Sequence, residues 1–115
     1  MADTAIDRAT FDALKQTAGA DFVLELVDTF LQEAPSMLDE LRRALAAQDA
    51  DKFRRTAHSL KSNSNTFGAL TLGALARELE LGGLSKANEN RGQPLDALAE
   101  EYSRVAATLT ELRHA

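Results

Sequence analysis

Apolar residues recur every third or fourth position along nearly the whole chain, which is the spacing of a helical stripe, and no stretch alternates apolar and polar in the manner of a half-buried strand. Near the C-terminus Leu95, Leu98, Tyr102, Val105, Leu109 and Leu112 fall on one such stripe, and Pro94 suits the first turn of that helix, where a missing N–H costs nothing. Phe22, Leu26, Phe30, Met37 or Leu38, Leu41 and Leu45 outline a long helix or helix pair. Pro35 interrupts it, because its ring nitrogen cannot donate to the carbonyl of Leu31, and a kink is expected there. Asp7 and Asp21 are the expected N-caps of a short first helix and of this second one, with Gly19 ending the first. Leu72, Leu75 and Leu79 supply the stripe of a further helix from about residue 70. Two ends fit it: a stop at Gly82-Gly83, or a weak continuation to the polar loop "ANENRGQP".

Between these lies a helix from about 50 to 67, with Asp49 as N-cap and Gly68 just past its end. The pattern therefore predicts four substantial amphipathic helices behind a short one. Helices of this kind bury their stripes by packing together, so the expected fold is all-α, an antiparallel four-helix bundle with a short additional N-terminal helix. At 115 residues the chain is expected to form a single domain over residues 1–115.

Composition removes several classes of function. There is no cysteine, hence no disulfide, thiolate metal site or cysteine nucleophile, in keeping with a cytoplasmic location. No apolar run reaches the ~18 residues of a membrane span, and "MADTAIDRAT" has neither the basic start nor the apolar centre of a signal peptide. The net charge of −5 argues against nonspecific binding to nucleic acid or an anionic membrane. Against that acidic background the local basic group Arg54, Arg55 and Lys61 stands out.

That group surrounds one of only two histidines, His58; the other, His114, is the penultimate residue and is expected to fray. On a helical wheel Phe53, Ala57, Leu60, Ser64 and Phe67 cluster on one side, and His58 points about 150° away from them, toward solvent. Arg54, Lys61, Ser62 and Asn65 all fall within ~60° of it. A free imidazole ionises near pH 6.5, so close to neutrality much of it offers a nitrogen lone pair that can attack phosphorus. An ammonium three residues on can reach the arriving phosphoryl group, while a hydroxyl at +4 and an amide at +7 can donate to it. Lys61, Ser62 and Asn65 fill those positions, and Arg54 and Arg55 add positive potential that attracts an acidic partner. Residue by residue the same pattern also describes an ordinary solvated helix face, and Gly68 is most simply a helix terminator.

The stretch "AHSLKSNSNTFGALTLGALARELE", residues 57–80, resembles the signature of histidine-containing phosphotransfer domains: Ala-His, two residues, Lys followed by Gly or Ser, a small-polar run, Gly-Ala, then a Leu-rich helix ending in Leu-Glu. "DFVLELVDTFLQEAPSMLDELRRAL" resembles the helices that precede that signature, so the likeness spans nearly the whole chain. Ser62 stands where many members have Gly, and Asn65 where smaller residues are common. The resemblance implies a four-helix bundle with His58 as phospho-acceptor, Lys61 as its charge partner and Ser62 in the small position. It implies a relay in which a receiver domain's aspartyl phosphate passes its phosphoryl group to His58 and a second receiver takes it on. The expected partners are response-regulator receiver domains and a hybrid sensor histidine kinase, with the chain itself monomeric. It has no GxxxxGK[ST] loop and no carboxylate cluster suited to a metal, so it is expected to be a phosphorylated intermediate and not an enzyme, without a cofactor of its own and with Mg²⁺ on the receiver. The rival reading is a helical interaction module that binds a partner through the same face without chemistry.

Overall fold

The computed structural model describes residues 5–89 and 92–114, except the side chain of His114. They form five helices: α1 (Arg8–Ala18), α2 (Ala20–Ala47), α3 (Ala50–Thr66), α4 (Leu70–Glu89) and α5 (Gln93–His114). α2 to α5 close a four-helix bundle in which α3 packs between α2 and α4, and α5 completes the ring against both; α1 lies across α2 and α3. Ion pairs mark the antiparallel neighbours, with Arg42 to Asp96 at 3.1 Å and Arg113 to Asp28 at 2.6 Å joining α2 to α5.

Local chemistry explains where most helices start and stop. Asp7 caps α1, its carboxylate accepting the Thr10 N–H at 3.1 Å, and Asp49 caps α3 by accepting from the Lys52 N–H at 3.1 Å. Gly68 ends α3 with φ at +87°, and its carbonyl accepts the Asp7 N–H at 2.7 Å, which pins the start of α1 to the α3–α4 turn. A Cβ there would stand 2.7 Å from the Asp7 carbonyl oxygen, so both the left-handed backbone and the close approach call for glycine.

Asp21 is not the N-cap of α2. Gly19 alone separates α1 from α2, ending one and starting the other, so Asp21 falls inside the first turn, where its charge still suits the helix dipole. Pro35 does not divide α2 into a helix pair: the helix is continuous through it for 28 residues. The Leu31 carbonyl that Pro35 leaves without a donor accepts instead from the Tyr102 hydroxyl of α5 at 3.4 Å. Burial pushes the Tyr102 phenol above its ordinary value of 10.0, in the direction that keeps the donating proton on the hydroxyl.

The core follows the expected faces with one displacement. Phe53, Ala57, Leu60 and Ser64 of α3 and Phe67 just past its end are buried, as are Leu95, Leu98, Val105 and Leu109 of α5. On α2 the buried stripe is Val23, Val27, Phe30, Ala34, Leu41 and Ala44: Phe30 and Leu41 are as expected, while Val23, Val27 and Ala44 take the places expected for Phe22, Leu26 and Leu45. Leu26, Met37, Leu38 and Leu45 are half-buried at its edge, and Phe22 is 51% exposed. Phe30 anchors the centre, with its ring 5.3 Å from that of Phe67 and 6.0 Å from that of Tyr102. α4 combines the two expected endings. Its backbone breaks at Gly83 (φ 62°, ψ −158°), yet helix resumes to Glu89. Ala87 is buried there, and the amides of Asn88 and Gln48 exchange hydrogen bonds of 3.0 and 3.2 Å that tie this last segment to the α2–α3 turn. The expected "ANENRGQP" loop is correspondingly shorter: residues 87–89 are helical, α5 begins at Gln93, and Asn90 and Arg91 lie outside the described residues.

Candidate functional site

α3 presents its outer face beside α4. The two helices run antiparallel about the turn at Ala69, so residues equally far from that turn meet across the seam: Asn65 faces Gly73 and His58 faces Glu80. Gly73 lets the helices approach closely, since a methyl group at that position would collide with the Asn65 amide.

The side chain of His58 is 57% exposed, and its Nδ1 lies 2.8 Å from Glu80 Oε2. The other carboxylate oxygen, Oε1, lies 2.8 Å from the Lys61 ammonium. Hydrogen bonding from Lys61 first, and from His58 second, holds the Glu80 carboxyl below the usual carboxylate range against the opposing effect of burial. An ionised carboxylate can only accept, so the proton of a neutral His58 sits on Nδ1 and the lone pair on Nε2. One acidic side chain thereby selects the tautomer of the histidine and places the ammonium beside it.

The basic frame is less free than its spacing suggests. Arg54 and Arg55 share one acidic partner: Arg54 pairs with Asp51 Oδ1 at 3.1 Å and Arg55 with Asp51 Oδ2 at 2.9 Å. With His58, Ser59 and Glu80 the two arginines line an open depression of about 330 Å³. Ser62 is exposed one turn after His58, and its carbonyl accepts from the Thr66 hydroxyl at 3.0 Å. The Asn65 amide lies against Gly73. The structure thus gathers His58, Lys61, Arg54 and Arg55 about one surface, exposes Ser62 one turn further along α3 and sets Asn65 against Gly73, while Gly68 serves as terminator. Glu80 is the addition: in sequence it closes the signature as the last residue of its Leu-Glu end with no role attached to it, and the antiparallel register about Ala69 carries it to His58. Among the described residues no group of three His, Cys, Asp or Glu could hold a metal ion, and no helix is long and apolar enough to cross a membrane.

A family model, the Hpt domain, matches residues 25–115. The chain belongs to the Hpt domain family. It is a histidine phosphotransfer intermediate of the phosphorelay type. This Hpt domain is 34% identical over 114 residues to the sensor protein TorS of Escherichia coli K12, covering 97% of the chain but 11% of the length of TorS. Its fold superposes on histidine-containing phosphotransfer protein B (HptB) of Pseudomonas aeruginosa PAO1 with a TM-score of 0.87 and 27% identity, over 98% of this chain and 97% of that one. The HPT domain of a sensor hybrid histidine kinase from Shewanella shares the fold, with a TM-score of 0.71 at 20% identity over 94% and 92% of the two chains.

Proposed function

We propose that His58 is the phospho-acceptor, that Nε2 is the attacking atom and that receiver domains are the donor and the final acceptor. The observation that carries this reading is the exposed imidazole whose Nδ1 is engaged by Glu80 while Lys61 stands on the other oxygen of the same carboxylate. The Nε2 lone pair attacks the phosphorus of a receiver's aspartyl phosphate in line. The P–N bond forms as the P–O bond breaks, and the electron pair leaves on the receiver's carboxylate. Positive charge that develops on the ring is met through Nδ1–H by Glu80, while the Lys61 ammonium neutralises the transferring oxygens. The reverse sequence delivers the group to a second receiver.

The chain acts without a cofactor of its own, and the Mg²⁺ needed for aspartate chemistry belongs to the receiver. It works as a cytoplasmic monomer, with receiver domains and a hybrid sensor histidine kinase as partners, and it is a relay station and not an enzyme with its own turnover. Mixing the protein with receiver domains charged by a small acyl phosphate tests the reading: phosphate that is acid-labile and alkali-stable should appear on the wild type and be absent from His58→Gln. Lys61→Ala should still fold but slow transfer by at least about tenfold, the scale expected when one charged donor to a transition state is lost. A wild-type protein that stays unlabelled by every receiver, or Lys61→Ala kinetics equal to wild type, would remove the corresponding role.

A further inference from the structure

Asp51, the pair Arg54 and Arg55, and His58 form three rungs on the solvent face of α3, each about one turn from the next. Both oxygens of Asp51 are engaged, one by each arginine. Helical side chains lean toward the N-terminus of their helix, so the imidazole leans over the turn that carries Arg54 and Arg55, and both line the depression beside it. With Nδ1 committed to Glu80, a phosphoryl group on Nε2 enters a space whose wall already holds two guanidinium groups, both occupied by an aspartate.

We infer that Asp51 is an internal competitor of the phosphoryl group: it holds Arg54 and Arg55 while His58 is unmodified and yields them when His58 is phosphorylated, so that it sets how strongly the domain retains its phosphate. The inference rests on His58 being the acceptor. Its chemistry is a change of partner. All three side chains of the Asp51 cluster are exposed, and exposed ion pairs are weak enough to exchange. A phosphoryl group offers three strong acceptor oxygens and close to two negative charges, against one charge on the carboxylate, and guanidinium forks match it well. The aspartate therefore loses the competition, but each arginine it surrenders subtracts from the net gain on phosphorylation. Such a device suits a relay station, where a group held too firmly would not be passed on.

The test compares the wild type with Asp51→Asn, which keeps the shape and removes the charge. Both carry His114→Gln so that one histidine remains, and both are loaded with phosphoramidate, which phosphorylates imidazole without a receiver. Phosphorus NMR then follows the second ionisation of the phosphoryl group with pH, and a charged receiver supplies the equilibrium ratio of phosphorylated Hpt domain to phosphorylated receiver. Freed arginines should lower that ionisation by a few tenths of a pH unit and raise the ratio about two- to fivefold, the range that exposed ion pairs command. Asp51→Glu, which restores the charge, should behave as wild type, and circular dichroism establishes that each variant is folded. In an Arg54→Gln/Arg55→Gln background the Asp51→Asn substitution should do nothing. An unchanged ratio and ionisation in Asp51→Asn, or the same shift without the arginines, would overturn the competitor role while leaving His58 as acceptor. A wild type that takes no phosphate on His58 would overturn both.

Discussion

Glu80 divides one carboxylate between the His58 imidazole and the Lys61 ammonium, and at the scale of single residues this is the feature with most consequence for the proposed transfer. Glu80→Gln should leave the bundle folded but slow phosphoryl transfer by about tenfold, because the neutral amide no longer stabilises a positive ring or fixes the ammonium. Its effect on stability should depend on pH in a definite direction. The folded carboxyl ionises below its ordinary value of 4.5, so its stabilising contribution is present above about that pH and is lost as acid takes the solution down through the folded value. Thermal midpoints of wild type and Glu80→Gln should differ near neutrality and converge as acid carries the solution below 4.5 and through the lowered folded value; a gap that widened with acid would contradict the assignment. Ser62 offers a steric probe, since it lies one turn beyond His58 and leans over the surface next to it. Ser62→Trp should fold and fail to transfer, whereas Ser62→Gly should transfer at a helix cost of roughly 0.5 kcal/mol; a fast Trp variant would refute the steric account. That His58 and Lys61 share one exposed face was legible from helical spacing because they sit on one helix, whereas their roles came only with the family resemblance. That Glu80 joins them was not legible, because its proximity depends on a partner helix, and the grip of Asp51 on both arginines was hidden behind their charge even though the spacing allows it.

Helices are where local rules gave most and where neighbours overruled them. α3 was readable to within a residue at both ends, since Asp49, Gly68 and an uninterrupted apolar face all agree. In α2 the pattern held two adjacent apolar rows, Phe22/Leu26 and Val23/Val27, and periodicity could not say which would face inward; packing chose the second. Pro35 is the sharper case, because a breaker inside a helix is tolerated when the freed carbonyl finds another donor, and that donor comes from α5. Tyr102→Phe should therefore destabilise the fold by about 0.5–1.5 kcal/mol, the cost of withdrawing one hydrogen bond from a half-buried carbonyl. Chemical denaturation with an unchanged slope would measure it, and a loss near zero would mean that the Leu31 carbonyl is satisfied without the tyrosine. Gly83 joins both sequence expectations for α4, as a break in the backbone followed by a turn of helix that Ala87 and the Gln48–Asn88 amides hold in place.

At the scale of the whole molecule, the packed bundle fixes which edge of α3 faces solvent. Phe53, Ala57, Leu60 and Ser64 bury one side of α3 against its neighbours, so the opposite side has a fixed exposure and His58 a fixed direction. The all-α architecture followed from the stripes alone, whereas the meeting of α3 with α4 in the register that builds the site needed the three-dimensional fold. Because His58 contributes to no core contact, its replacement should leave stability within about 0.5 kcal/mol of wild type and still abolish acceptance. The measurement that bears most directly on the account is the chemical location of phosphate after incubation with a charged receiver, read by mass spectrometry under alkaline conditions on wild type and on folded His58→Gln. The account predicts a single acid-labile phosphate on His58 and none on the variant. Phosphate on another side chain, or full labelling of His58→Gln, would contradict it.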